Sequence, residues 1–158
     1  MPDLLTSRIA AITGAGSGIG RAIALAYGRE GAQVVALDIN GEAAVETAKQ
    51  IAAAGGKAKS FTLDVTRRAD CMAMAKKVEA EVGRISVLVN NAGINRRNPF
   101  TADADVVASD WNDIMAINLN GVFNVTHAFL EPLMACKGRI VNIGSIQSFV
   151  HVIGRAHV

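Results

Sequence analysis

Proline is scarce in this chain, with 3 in 158 residues, so no Pro-rich linker divides it. Charge of one sign is missing too. The 16 Lys and Arg are spread among 14 Asp and Glu, for a net charge of +2. A phosphate-tracking face needs clustered basic residues, so nucleic acid is disfavoured as a partner. The 2 cysteines, Cys71 and Cys136, form no Cys-x-x-Cys pair, and a zinc site or redox dithiol has no support. His127, His151 and His157 lack metal-ligand spacing with Cys, Asp or Glu. No apolar run reaches the roughly 18 residues of a membrane span. The first residues, Met-Pro-Asp-Leu-Leu-Thr-Ser-Arg, have neither a basic start nor an apolar signal core. These absences lead us to expect a cytoplasmic protein with no metal and no membrane partner. No internal repeat or low-complexity segment is visible.

What is present fits one globular domain. Hydrophobic residues make up 51% and charged residues 19% of the chain. A chain of this length buries about two-thirds of its unfolded surface. Short apolar runs read as strands at Arg8–Thr13, Gln33–Leu37, Ala58–Leu63, Ser86–Val89 and Gly138–Gly144. Helical spacing fills the gaps at Gly18–Glu30, Glu42–Ala54, Arg67–Val82 and Val107–Ala135. Ile19, Ile23, Ala26 and Tyr27 would share one side of the first helix. Thr66 is the expected N-cap of the third, and Pro132 should kink the last. Apolar strands alternating with long helices indicate a parallel sheet covered on both faces. The expected fold class is α/β, a doubly wound, Rossmann-like parallel sheet.

Thr13-Gly14-Ala15-Gly16-Ser17-Gly18-Ile19-Gly20 joins the first strand to the first helix. Glycines let backbone approach a ligand that a Cβ would strike. The helix start adds free N–H groups and a positive dipole end, so a diphosphate is the natural guest. Asp38 ends the second strand. A carboxylate there accepts both hydroxyls of an adenosine ribose and repels a 2′-phosphate. No basic residue occupies position 17, which is Ser, and Arg21 lies past the last glycine on the helix. The residues therefore favour NAD over NADP.

Together these residues resemble the classical short-chain dehydrogenase/reductase family. The match runs through Thr13-Gly14-x-x-x-Gly18-Ile19-Gly20, Asp64-Val65, Asn90-Asn91-Ala92-Gly93, Asn118 and Ile143-Gly144-Ser145, in order, over residues 8 to about 152. The resemblance implies that Gly14, Ser17, Gly18, Ile19, Gly20, Asp38, Asp64, Val65, Asn91 and Gly93 bind the cofactor. Asp64 would hold the adenine amino group, and Asn91 would lie near a ribose. Asn118 would sit in a local break of the long helix and hold a relay water. Ser145 would bond the substrate oxygen. The implied reaction is hydride transfer between nicotinamide and a secondary alcohol or ketone, with the protein supplying placement and a proton. A homodimer or homotetramer is the family-typical assembly of the full-length form.

The sequence departs from that pattern at its end. The family's proton donor is a tyrosine followed by a lysine, and its tyrosine would fall at Val158. The only tyrosine here is Tyr27, on the first helix. Residues 153–158 do not resemble the family, and they back-translate to part of a common DNA-sequencing adapter. We expect a domain over 1–152, cut after the fifth strand, and a non-native tail over 153–158. Such a chain would lack dehydrogenase activity and would leave the fifth strand's edge and the long helix partly bare. A non-catalytic NAD-binding module is the alternative reading. For substrate, Arg96 and Arg97 at the crevice mouth could meet the carboxylate of a sugar acid, although a solvated loop is the better account of them. A 3-oxoacyl thioester is the other family-typical choice.

Overall fold

The computed structural model describes residues 4–146. The expected tail at 153–158, with His151 and His157, lies outside them.

Five parallel strands form one sheet in the order β3-β2-β1-β4-β5. They are β1 (Ile9–Thr13), β2 (Gln33–Asp38), β3 (Lys57–Thr62), β4 (Val87–Asn90) and β5 (Arg139–Asn142). Helices α1 (Gly18–Arg29), α2 (Gly41–Ala53) and α3 (Arg68–Glu81) connect the first four strands. This is the doubly wound order expected from the sequence. The chain runs outward from β1 to β3, then returns to β4 on the other side of β1. The reversal lies between β1 and β4, where the loops after the two strands diverge and open a crevice.

The strand sequences explain the layering. Ala10, Ile12, Val34, Ala36, Val87 and Val89 point to one face and pack with Ala24, Ala44 and Ile51 of α1 and α2. Ala11, Val35, Leu37 and Leu88 point to the other and pack with Cys71, Val78, Val125 and Phe129. Apolar residues on both sides of each strand are what a sheet sandwiched between helices requires.

Two expectations about helices are corrected. Thr66 does not cap α3, because its hydroxyl donates to Asp64 Oδ1 at 2.7 Å and Arg67 is the capping position. The helix expected over Val107–Ala135 is broken into pieces. It starts early, as α4 (Ala104–Met115), with the Asp103 carboxylate accepting from the Asp105 N–H. A π-helical segment follows at Ala116–Gly121, then α5 (Val122–Ala128) and α6 (Leu130–Ala135). Pro132 lies inside α6. Within α1, Ile19 leaves the expected apolar side and is 64% exposed, while Gly20, Ala24 and Gly28 face the sheet.

Candidate functional site

The crevice at the reversal point has a volume of about 540 Å³. The glycine loop, the end of β2, the turn after β3 and the segment after β4 enclose it. Gly14, Ser17, Gly18, Ile19, Asp38, Asp64, Val65, Asn91 and Gly93, all expected cofactor residues, line it. Ile39, Leu63, Ala92, Ile94 and Ile117 complete the lining. Outside the lining, Gly20 lies against Gly14 and Asn91, and Asn118 against Gly93 and Ile94.

The glycine loop folds tightly for reasons visible atom by atom. Gly14 has φ +64°, and a Cβ there would lie 2.9 Å from Asn91 Nδ2 and 3.0 Å from Ala92 Cα. Gly20 supports it from below, where a Cβ would come 2.0 Å from the Gly14 carbonyl oxygen. Gly18 differs. Its φ is +50°, and nothing lies within 4 Å of where its Cβ would be. That open space faces the crevice beside the first turn of α1, and it suits a bulky anion held by the helix's unpaired N–H groups.

Asp38 is half-buried and is held from two sides. Its Oδ2 accepts from the Gly16 N–H at 2.7 Å, and its Oδ1 accepts from the Asn40 N–H at 2.8 Å. The carboxylate thus ties the glycine loop to β2 and keeps lone pairs for further donors. Asp64 is similarly engaged, accepting from Thr66 N–H at 2.9 Å and from the Thr66 hydroxyl.

The β4 side is fastened to β1. Thr13 Oγ1 accepts from the Asn91 and Ala92 N–H groups, each at 3.0 Å. The Asn91 amide donates to the carbonyls of Thr13 at 3.0 Å and Gly14 at 3.3 Å. Its nitrogen therefore holds the loop. Asn118 sits in the π-helical segment, so the local break expected from the resemblance is present. Its amide clasps one residue from both ends, donating to Ile94 O and accepting from Ile94 N–H, both at 2.9 Å. Ser145 lies three residues beyond β5, on the carboxyl-end side of the sheet that carries the crevice.

Several contributors were not legible in the sequence. Buried Asn124 on α5 donates to Val65 O at 3.0 Å and fixes the turn after β3. The Cys71 thiol lies 3.6 Å from the same oxygen. Burial, with Asp64 and Asp70 nearby, pushes that thiol up to about 11. The two arginines of the β4 loop are not equivalent. Arg96 is held by Asp113 at 2.7 Å and lies 3.8 Å from Asp110, and the hydrogen bond to Asp113 raises its pKa. Arg97 is exposed and has no such partner among the described residues. Tyr27 packs against the apolar layer under α1, away from the crevice lining. Among the described residues no helix is long and apolar enough to cross a membrane, and no metal-binding cluster occurs.

The family model for short chain dehydrogenase matches residues 8–157. This chain belongs to that family. The short-chain dehydrogenase chain is 41% identical to the D-threitol dehydrogenase of Mycolicibacterium smegmatis over 142 residues, covering 89% of this chain and 54% of that one. It is 38% identical to the 5-keto-D-gluconate 5-reductase of Escherichia coli over 138 residues, covering 87% and 53%. A solved gluconate 5-dehydrogenase from Burkholderia cenocepacia, in complex with NADP and tartrate, superposes with a TM-score of 0.86 at 40% identity. That match covers 98% of this chain and 60% of the other. A solved protein from Beutenbergia cavernae, described as an NAD(P)-dependent gluconate 5-dehydrogenase and holding NADP at low occupancy, gives a TM-score of 0.84 at 37% identity, covering 95% and 59%. The chain thus spans between half and two-thirds of these relatives' length.

Proposed function

We propose that this chain provides the cofactor-binding part of an oxidoreductase that moves hydride between nicotinamide and a secondary alcohol or ketone. The observation that carries the reading is the crevice between β1 and β4, floored by Gly14 and Gly18 and walled by Asp38 and Asp64. When bound, the nicotinamide supplies the hydride chemistry. The diphosphate would lie over Gly18 and the first turn of α1. The adenosine ribose would lie on Asp38, and the adenine against Asp64 and Val65. Ser145 would bond the substrate oxygen, and Asn118 would hold a water with the donor and lone pair that Ile94 leaves free.

Asp38 supports NAD as the cofactor. A 2′-phosphate would meet a carboxylate that no basic side chain among the lining residues offsets. The two solved relatives hold NADP, so the choice needs direct measurement. Calorimetric titration with NAD and NADP should show tighter NAD binding. Tighter NADP binding would overturn the assignment.

Sugar acids or polyols are the proposed substrate class. Relatives acting on gluconate, 5-keto-gluconate and threitol support it, as does the exposed Arg97 in the segment after β4. A second reading, nucleotide binding without turnover, is favoured by one observation. Tyr27 is the sole tyrosine and packs under α1, outside the crevice lining. The 158-residue chain should therefore show no dehydrogenase turnover on either class of substrate. Gluconate oxidation at ordinary enzymatic rates would exclude this second reading.

A further inference from the structure

Behind the glycine loop lies a polar network that the proposed function does not use. Thr47, in the middle of α2, is fully buried. Its hydroxyl donates to Ala15 O at 2.8 Å, with Ala43 O at 3.1 Å as a secondary acceptor. The same oxygen accepts from Arg21 Nε at 3.0 Å. The other arm of the Arg21 guanidinium donates to Gly16 O. Two successive loop carbonyls are thus gripped from the side away from the crevice, one by a hydroxyl and one by the guanidinium that the hydroxyl orients.

We propose that Arg21 and Thr47 are positioning residues that set the direction of the glycine-loop peptides and thereby the loop's affinity for a diphosphate. The proposal rests on the nucleotide-binding reading above. In a planar trans peptide the carbonyl of one residue and the N–H of the next point in opposite directions. Holding Ala15 O on Thr47 turns the Gly16 N–H the other way, and it donates to Asp38 Oδ2 at 2.7 Å. Holding Gly16 O on Arg21 turns the Ser17 N–H away from the guanidinium, and Ser17 lines the crevice.

The grip matters because the glycine itself offers little resistance to turning. Gly16 has no Cβ to resist a peptide flip. A flipped Gly16–Ser17 peptide would aim its carbonyl oxygen where a phosphate oxygen must come, replacing a donor with a repelling acceptor. Arg21 is suited to the task because its planar fork serves two fixed acceptors at once. Lysine would keep the charge and lose that geometry. An arginine held in this way is also turned from the crevice, so its contribution is one of direction more than of charge.

The test is titration of the 158-residue chain with two probes, ADP and adenosine, which share base and ribose and differ in the diphosphate. Thr47→Val and Arg21→Lys should each weaken ADP about tenfold, the loss expected for one or two charge-assisted or buried hydrogen bonds, while adenosine changes less than about twofold. Thr47→Ser keeps the hydroxyl and should restore ADP binding. The proposal is overturned if both variants bind ADP like the unmodified chain. It is equally overturned if ADP and adenosine weaken by the same factor, since general loosening of the fold would do that. If the unmodified chain binds neither probe, the nucleotide-binding reading fails and this inference fails with it.

Discussion

The two edges of the sheet are finished in different ways. On β3, Lys57 and Lys59 are exposed, with the half-buried Ala58 between them, and Lys59 pairs with Glu81 at 3.2 Å. Lysines on an edge strand discourage pairing with another chain. On β5, Ile140 and Val141 are 42% and 38% exposed, and all four strand residues lie open. Helix α4 continues the contrast, since none of its residues is buried, whereas α1, α2 and α3 each bury three. One edge is finished for water. The other presents apolar side chains that no described residue covers. The glycine loop, Asp38 and Asp64 all belong to the finished side, so that wall of the crevice lies wholly within the described residues.

The largest test of this contrast compares one residue type at two places. Ile12 on β1 is fully buried, and Ile12→Ala should cost about 4 kcal/mol in denaturant unfolding. Ile140→Ala on β5 should cost about 1 kcal/mol or less, because its side chain is already half in water. Equal losses would show that the β5 edge is packed as fully as the centre of the sheet.

Next in size is a pH effect on the finished side. The Cys71 thiol is pushed from 9.0 to about 11 by burial, so the folded chain favours its neutral form. That stability is fully present below about pH 9 and is lost as the pH rises through 11. The loss grows as the pH passes through that window. Cys71→Ser has a hydroxyl that does not titrate in this window, and its melting temperature should fall less between pH 9 and 11. Parallel curves would remove Cys71 as the cause.

Asn124→Ala should cost about 1.5 kcal/mol, because it strips a buried donor from the Val65 carbonyl. It should also weaken adenosine binding, since that carbonyl belongs to the turn carrying Asp64. Unchanged adenosine affinity in a destabilised variant would separate the turn from the binding wall. The smallest effect is expected from Ile140→Lys, which writes the β3 solution into β5. Stability should move by about 0.5 kcal/mol or less, while light scattering at high protein concentration falls. Unchanged scattering would show that the β5 edge does not drive association.

Features encoded by neighbouring residues were legible in the sequence. The five strands, the glycine loop and Asp38 at the end of β2 follow from apolar runs, glycine spacing and strand ends. Features that depend on distant partners were not. Thr47 lies 32 residues from the carbonyl it holds, and Asn124 lies 59 from its own. Nothing in local spacing marks either residue. Thr66 carries a sound N-cap signature, yet Asp64 two residues earlier captures its hydroxyl. The two adjacent arginines read alike in sequence, and only the fold brings Asp110 and Asp113 to one of them. Ile19 fits an apolar helix face by period, but the helix packs through its small residues, and Ile19 turns to the crevice.

The π-helical segment at Ala116–Gly121 can also be described as a phase slip. An α-helix turns about 100° per residue. A π-turn takes in one extra residue before its hydrogen bond closes, so everything beyond it is rotated relative to a regular continuation. Before the slip, α4 buries no residue, and beyond it α5 buries Asn124, Val125 and Ala128. A single rod can therefore address two targets, with Asn118 clasping Ile94 and Asn124 holding Val65. In that sense the segment is a one-residue dislocation, and Asn118 within it and Asn124 beyond it keep their separate partners only while it persists.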